Sequence, residues 1–497
     1  MTLTTIILII ALVALLLTLA TRFVATRQPS PAMSLVQNFC GAWFVLSGYV
    51  KVADPLGTAY KMEQYFDEFA ATAVGAGLSF AEPLFAFGSS VSPYIAMVMV
   101  VLEVVLGVML ITGTRPRFAA WTFLTVMAFF TALTGFTFLT GYVPTSANFF
   151  AFSEWGPYVD TNMRVTDCGC FGDFLKLEPY TSFLKDIALM VPAVAFVVAP
   201  GQMHQWFGPG LRRGVSWASV AAASLFGMSN FVWGLPAHDF RPFAEGEHLR
   251  ERRRLEEEAA ANVEIGYRLT SKVTGEAVEL PMDEYLERYA EFPTEAYELE
   301  QLQGEPVVPH TKVSEFELEA EDGTPMAEEI LADPGYVAMV VAYHLEDEGR
   351  SRREVTRRDS LFVTDTTGPG EPLRVFAAMR DVTEETEVTD FAPAYLADWT
   401  ERIVPFADAA EAAGWRVFAT TAYADPARID DFRHAVQFAH PIYEADDILL
   451  KTIVRSNPGL VILRDGRVVR KFHASDVPAF GELDLPDAEP RLSLRAE

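Results

Sequence analysis

The chain has 497 residues, half of them hydrophobic, and a formal net charge of -28 that is unevenly placed. Up to Pro236 there are 12 acidic and 11 basic residues, so nearly all the negative charge lies beyond that point. An acidic portion of that kind repels polyanions, which excludes nucleic acid and anionic lipid as its partners.

Six apolar segments, approximately 4–21, 34–50, 93–113, 118–141, 183–200 and 214–235, meet or approach the length a bilayer core requires. The first has no basic leader and no small-residue cleavage site before Arg22, so it reads as a retained anchor. A further stretch over 69–91, broken by Gly75, Gly77 and Pro83, is expected to lie at the interface or to re-enter. Arg22 with Arg27, Arg115 with Arg117, and Arg212 with Arg213 mark three loops as cytoplasmic by the positive-inside bias. The 51–92 loop, the loop with Cys168 and Cys170, and everything after Pro236 then lie outside, in a compartment where disulfides persist. Arg250 and Arg252 to Arg254 cut the other way, but they interleave with Glu251 and Glu256 to Glu258 and read as a helix with i,i+4 ion pairs.

Three cysteines are present, Cys40, Cys168 and Cys170. Gly169 lets the backbone between the last two fold tightly enough for the sulfurs to meet, and a bridge over so short a loop is readily reduced. Asp167 and Asp173 disfavour the thiolate there unless Arg164 or Lys176 compensates. A static bridge that pins the loop is the alternative. Three sulfurs with no histidine in the first four spans make a poor metal set, and Cys40 reads as a small core residue. Glu103, in mid-span, is a proton relay or a structural hydrogen-bond acceptor, for instance from Ser47 or a tyrosine. Lys51 with Asp54, and Lys185 with Asp186, read as interfacial anchors.

Residues 237–330 read as a linking or packing region. Beyond them, Tyr336 to Tyr343 is a strand, a polar insertion runs to about 370, and a further strand is expected over 371–378. A helix with its apolar face at Trp399, Ile403, Phe406 and Ala410 leads into the strand Arg416 to Thr420. Helices around 427–438 and 446–455 precede Asn457-Pro458, a strand to Leu463, the Asp465-Gly466 turn and a strand from Val468. This order resembles an α/β thioredoxin-like domain, with Pro458 at the place of that family's structural cis-proline. His344-Leu345-Glu346-Asp347 stands where the family carries Cys-x-x-Cys, and no cysteine follows Cys170, so the domain reads as a docking module.

Gly48-Tyr49-Val50-Lys51-Val52-Ala53-Asp54-Pro55-Leu56-Gly57, Glu103 with Gly107, Asp167-Cys168-Gly169-Cys170-Phe171-Gly172-Asp173 and Ser182-Phe183-Leu184-Lys185-Asp186 together resemble the DoxX superfamily, in its MauE-like branch, over roughly 34–200. The resemblance implies a multi-pass α-helical membrane domain with a four-helix core, associated with disulfide formation in exported proteins or with electron transfer from a sulfur substrate to quinone. Gly169, Phe171, Gly172, Asp173, Lys185 and Asp186 would support the loop. The expected organisation is an anchor over 1–33, the core over 34–200, a sixth helix and its connection over 201–236, the linking region over 237–330 and the thioredoxin-like domain over 331–497. The function expected is that of a bacterial inner-membrane protein with an extracytoplasmic C-terminal domain. In it Cys168 and Cys170 exchange disulfides with an exported protein or small sulfur substrate, in contact with membrane lipid, with quinone as cofactor and a separate thioredoxin-like protein as partner. A non-catalytic scaffold or maturation factor for an envelope complex is the alternative. A transporter is disfavoured because Glu103 is the only acidic residue expected deep in a span.

Overall fold

The computed structural model describes residues 2–165, 169–261, 265–303, 308–365 and 373–485. The chain divides between Arg241 and Pro242 into two units.

Helices dominate the first unit: α1 (Leu3–Val24), α2 (Pro31–Ala53), α3 (Pro55–Gly75), α4 (Glu82–Ser90), α5 (Ser92–Thr112), α6 (Pro116–Thr140), α7 (Pro179–Val198) and α8 (Pro209–Ser229). Two short strands, β1 (Ala25–Arg27) and β2 (Gln205–Trp206), pair antiparallel. Proline stands in the first turn of every helix from α2 to α8, where its missing N–H removes no helical hydrogen bond. Four helices, α1, α5, α6 and α7, are long and apolar enough to cross a membrane. Leu8, Leu12, Leu16, Val191, Val194 and Val198 on two of them face outward, as lipid contact requires. The other two expected spans differ in composition. α2 buries Ser34, Gln37, Asn38 and Lys51, and α8 starts early enough to take in Arg212 and Arg213. The 69–91 stretch is the end of α3, a 3-10 turn over Ser79–Ala81, and α4.

α2 and α5 meet at glycines. A Cβ on Gly107 would stand 2.7 Å from Gly41 O and 2.8 Å from Val45 N, and one on Gly48 would stand 2.9 Å from Val104 N. The two backbones therefore touch, the small-residue packing that membrane helices use. Around this seam Phe44 meets Phe123 at 4.8 Å and Trp43 meets Phe171 at 5.5 Å, both edge to face.

The second unit begins with α9 (Leu249–Ala261). Its Arg252–Glu256, Arg253–Glu257 and Arg254–Glu258 ion pairs follow the expected i,i+4 spacing. The region expected to link or pack holds a sheet of its own in the order β4-β3-β5, made of β3 (Ile265–Ser271), β4 (Ala277–Pro281) and β5 (Tyr297–Gln303), with α10 (Met282–Arg288) beside it. After α11 (Ala327–Leu331) comes β6 (Tyr336–Ala342), the centre of a five-stranded sheet.

Two arms, β7 (Asp347–Asp365) and β8 (Leu373–Phe391), form a separate antiparallel ribbon. The polar insertion is thus the first arm, and the strand expected over 371–378 runs much further. Opposite charges sit directly across it, Arg352 against Glu387 and Arg358 against Asp381, each at 3.4 Å, and such pairs select one register.

α12 (Pro393–Asp398), a π turn over Trp399–Ile403 and α13 (Val404–Ala412) then lay Trp399, Ile403, Phe406 and Ala410 into the core as their spacing predicts. β9 (Arg416–Ala422), α14 (Pro426–Val436), β10 (Ile442–Ala445), α15 (Asp447–Ile453), β11 (Gly459–Arg464) and β12 (Arg467–His473) complete the unit. The sheet order is β10-β9-β6-β11-β12. β6, β9 and β10 are parallel, and β11 runs antiparallel to β6 and β12.

Glu256 is 2% exposed and ties α9 to the 311–314 turn. Its carboxylate accepts from Arg252 Nε at 2.5 Å, Thr311 N at 2.9 Å, Thr311 Oγ1 at 2.7 Å and Ser314 Oγ. Burial alone would raise its pKa, but these donors together hold it below the ordinary carboxylate range. A carboxylate with a lowered folded-state pKa gives stability that is complete above its unfolded pKa and is lost as pH falls through the folded one. Glu256→Gln is therefore expected to destabilise the chain at pH 7 and to flatten the acid limb of its stability profile, as read by denaturant melts from pH 7 to pH 3. At the α2–α5 seam, Gly107→Val is expected to cost about 1–3 kcal/mol through overpacking. Gly214→Ala, with open space at its Cβ position, should be neutral or stabilising in thermal unfolding of the same detergent-solubilised protein.

Candidate functional site

Ser47 and Lys51 lie one turn apart on α2, so both project from the face that packs on α5. There Lys51 Nζ meets Glu103 Oε1 at 2.6 Å, with the two side chains only 7% and 3% exposed. The ammonium also lies 4.9 Å from the centre of the Phe130 ring. Ser47 Oγ is 3.3 Å from Glu103 Oε2 and 3.0 Å from Cys170 O, so its one proton links the ion pair to the cysteine loop. Lys51 is thus no interfacial anchor to Asp54, whose carboxylate instead caps α3 by accepting from Gly57 N.

A second buried pair stands on α7. Lys185 Nζ lies 2.6 Å from Asp186 Oδ1 with the side chains 11% and 1% exposed, and Thr134 Oγ1 donates to Asp186 Oδ2 at 3.1 Å. This pair too is buried within the protein, so Glu103 is not alone as a buried acid in an apolar helix. Lys185 and Cys170 line the same cavity.

Both pairs and Cys170 line one cavity of about 60 Å³, closed by Trp43, Phe130, Leu189 and Gly169 and by Thr58, Lys61 and Tyr65 of α3. At roughly 10–15 Å³ per water on this measure, it has room for about four to six water molecules. Thr58 Oγ1 is buried without a hydrogen-bond partner among the described residues, which marks this wall as a place for a polar guest.

Gly169 and Gly172 take φ of +61° and +52°, and the loop closes on itself through Gly172 N to Gly169 O at 3.2 Å. Phe171 is buried against Trp43, which anchors the loop in the helical core. Cys170 is half-buried and makes no disulfide among the described residues. Cys168 and Asp167 lie outside the described residues. Asp173 faces Lys176 at 4.0 Å, while Arg164 turns instead to Ala147 O at 2.7 Å and Glu68 at 3.4 Å. Cys40 is fully buried in the core beside α5. Among the described residues no group of three His, Cys, Asp or Glu side chains is placed to hold a metal ion.

In the second unit the Asn457–Pro458 peptide bond is cis and immediately precedes β11. Asn457 Nδ2 donates to His344 O at 2.7 Å and Glu346 Oε1 at 3.3 Å, and Arg428 bonds Leu345 O and Asp347. The segment after β6 is thereby fixed by polar contacts. Partial desolvation beside the cis-proline loop, and then the Arg428 charge, push the His344 pKa down.

The partnership of Lys51 with Glu103 escaped the sequence reading because the span was ended at residue 50. Continuing the helix to Ala53 puts Lys51 on the face of Ser47. No protein-family model, curated protein or solved structure matches the chain.

Removing one member of a buried pair strands the other charge. Lys51→Met or Glu103→Gln alone is expected to cost about 3–5 kcal/mol, and the Lys51→Met/Glu103→Leu double variant should recover most of it. A denaturant series on the four proteins checks this; small and additive losses in the singles and the double would mean that the pair is solvated.

Proposed function

We propose that the chain is a multi-pass membrane redox protein of the DoxX/MauE-like kind, with six spans in which α2 and α8 join the four apolar helices. Its cysteine loop and its second unit would lie on the extracytoplasmic side of a bacterial inner membrane. The observation that carries this reading is the shared cavity, which Cys170 lines together with Lys185 and in which Ser47 Oγ reaches both the Cys170 carbonyl and Glu103. In the exchange, a substrate dithiol is oxidised to its disulfide while a Cys168–Cys170 disulfide is reduced to two thiols. Sulfur–sulfur bonds and protons balance between the two partners. Reversal against the disulfide of a separate thioredoxin-like protein restores the oxidised pair. Glu103 and Asp186, each hydrogen-bonded within the cavity, are placed to carry the protons that move between thiols and water.

Beyond that exchange the electrons would pass to the respiratory chain, with membrane quinone as the acceptor. In the second unit, the sheet order around β6 and the cis-proline before β11 support a thioredoxin-like fold. His344 to Asp347 in place of two thiols supports a docking role for it.

Alkylation trapping of Cys168 and Cys170 in intact cells, with and without blocked respiration, tests the reading. A shift toward free thiols when respiration stops is the expected result. A pair that stays fully oxidised even with a membrane-permeable reductant is a structural staple, and the scaffold function then takes the place of exchange.

A further inference from the structure

Three arginines from two separate segments converge at one end of the helical unit. Arg27 follows α1, Arg115 and Arg117 open α6, and Pro200 and Gly201 of the turn after α7 complete a cleft of about 460 Å³ with Pro116 and Phe118. Arg27 Nη2 donates to Gly201 O at 3.1 Å, which fixes this guanidinium at the rim and leaves its other N–H groups for a ligand. The sequence holds no Asp or Glu over 1–53, 104–153 or 187–238, and among the described residues no carboxylate pairs with Arg27, Arg115 or Arg117. Like charges gathered in one cleft repel each other, and an anion seated among them relieves the repulsion.

We infer that this cleft holds the phosphodiester headgroup of an anionic phospholipid. Two observations favour a lipid over a free anion. The three helices whose ends form the cleft are all long and apolar enough to cross a membrane, so the cleft lies where headgroups lie. Its margin is also apolar: Phe118 is 57% exposed, and Phe23, Trp121 and Val198 beside these helix ends are 89%, 60% and 77% exposed. A phosphate with acyl chains satisfies both the arginines and this rim, whereas inorganic phosphate satisfies only the arginines. Every residue lining the cleft belongs to the helical unit, which carries little of the chain's negative charge.

The test uses the full chain in maltoside micelles containing either phosphatidylglycerol or phosphatidylcholine, with lipid occupancy read by native mass spectrometry. Phosphatidylglycerol is expected to be retained and phosphatidylcholine lost. Each arginine near a phosphate contributes about 5-fold, so Arg27→Gln/Arg115→Gln/Arg117→Gln should weaken retention by roughly 100-fold. Arg213→Gln, a cationic residue outside the cleft, should change it by less than about 2-fold, since surface charges away from a ligand are screened. Should the triple variant fail to fold, Arg115→Gln and Arg117→Gln singly should each show about a 5-fold loss. Wild-type retention in these variants overturns the site. An equal loss in Arg213→Gln makes the effect diffuse charge and overturns it as well. Full displacement of the lipid by millimolar inorganic phosphate would make it a soluble-anion site and overturn the lipid assignment.

Discussion

The helical unit is organised around the Lys51–Glu103 contact. Two ions withdrawn from water each carry a penalty of several kcal/mol, repaid only at short range with the remaining lone pairs satisfied. That requirement fixes how near α2 must lie to α5, and glycines at 41, 48 and 107 let the backbones come that close. Ser47 transmits the arrangement to Cys170 O, so the cysteine loop is located by a salt link in another part of the bundle. The second buried pair repeats the device between α7 and α6 through Thr134.

Local periodicity made much of the fold legible. The 399/403/406/410 spacing, the Arg-to-Glu spacing of α9, the Asp465-Gly466 turn and the residues flanking Pro458 each act over a few residues, where a sequence carries its own geometry. Partnerships across long separations were not legible in this way. Lys51 and Glu103 are 52 positions apart, and nothing near either names the other. Asp186 looked interfacial because it sits near a helix start, yet α6 covers it. β10 is four residues long, too short to alternate, and is defined by its pairing with β9. The sheet within 237–330 was hidden by its many exposed charged residues.

The two units treat charge in opposite ways. The helical one carries few ionised groups and buries several of them in pairs, so each has a defined partner and a defined place. The other spreads acid over its surface and keeps its core apolar, with Glu256 as a buried exception held by four donors. Nucleophilic sulfur is confined to the first, and the second meets its surroundings through peptide groups, His344 and carboxylates.

The β7–β8 ribbon has arms of 19 residues each, which at about 3.3 Å per residue extends roughly 60 Å. Its base is held by Thr389 N to Asp431 at 2.8 Å and by Phe391 against Phe432 at 5.3 Å. A Debye length in physiological salt is about 8 Å, so the ribbon is several screening lengths long. Charges at the two ends of the ribbon are therefore electrically independent of one another.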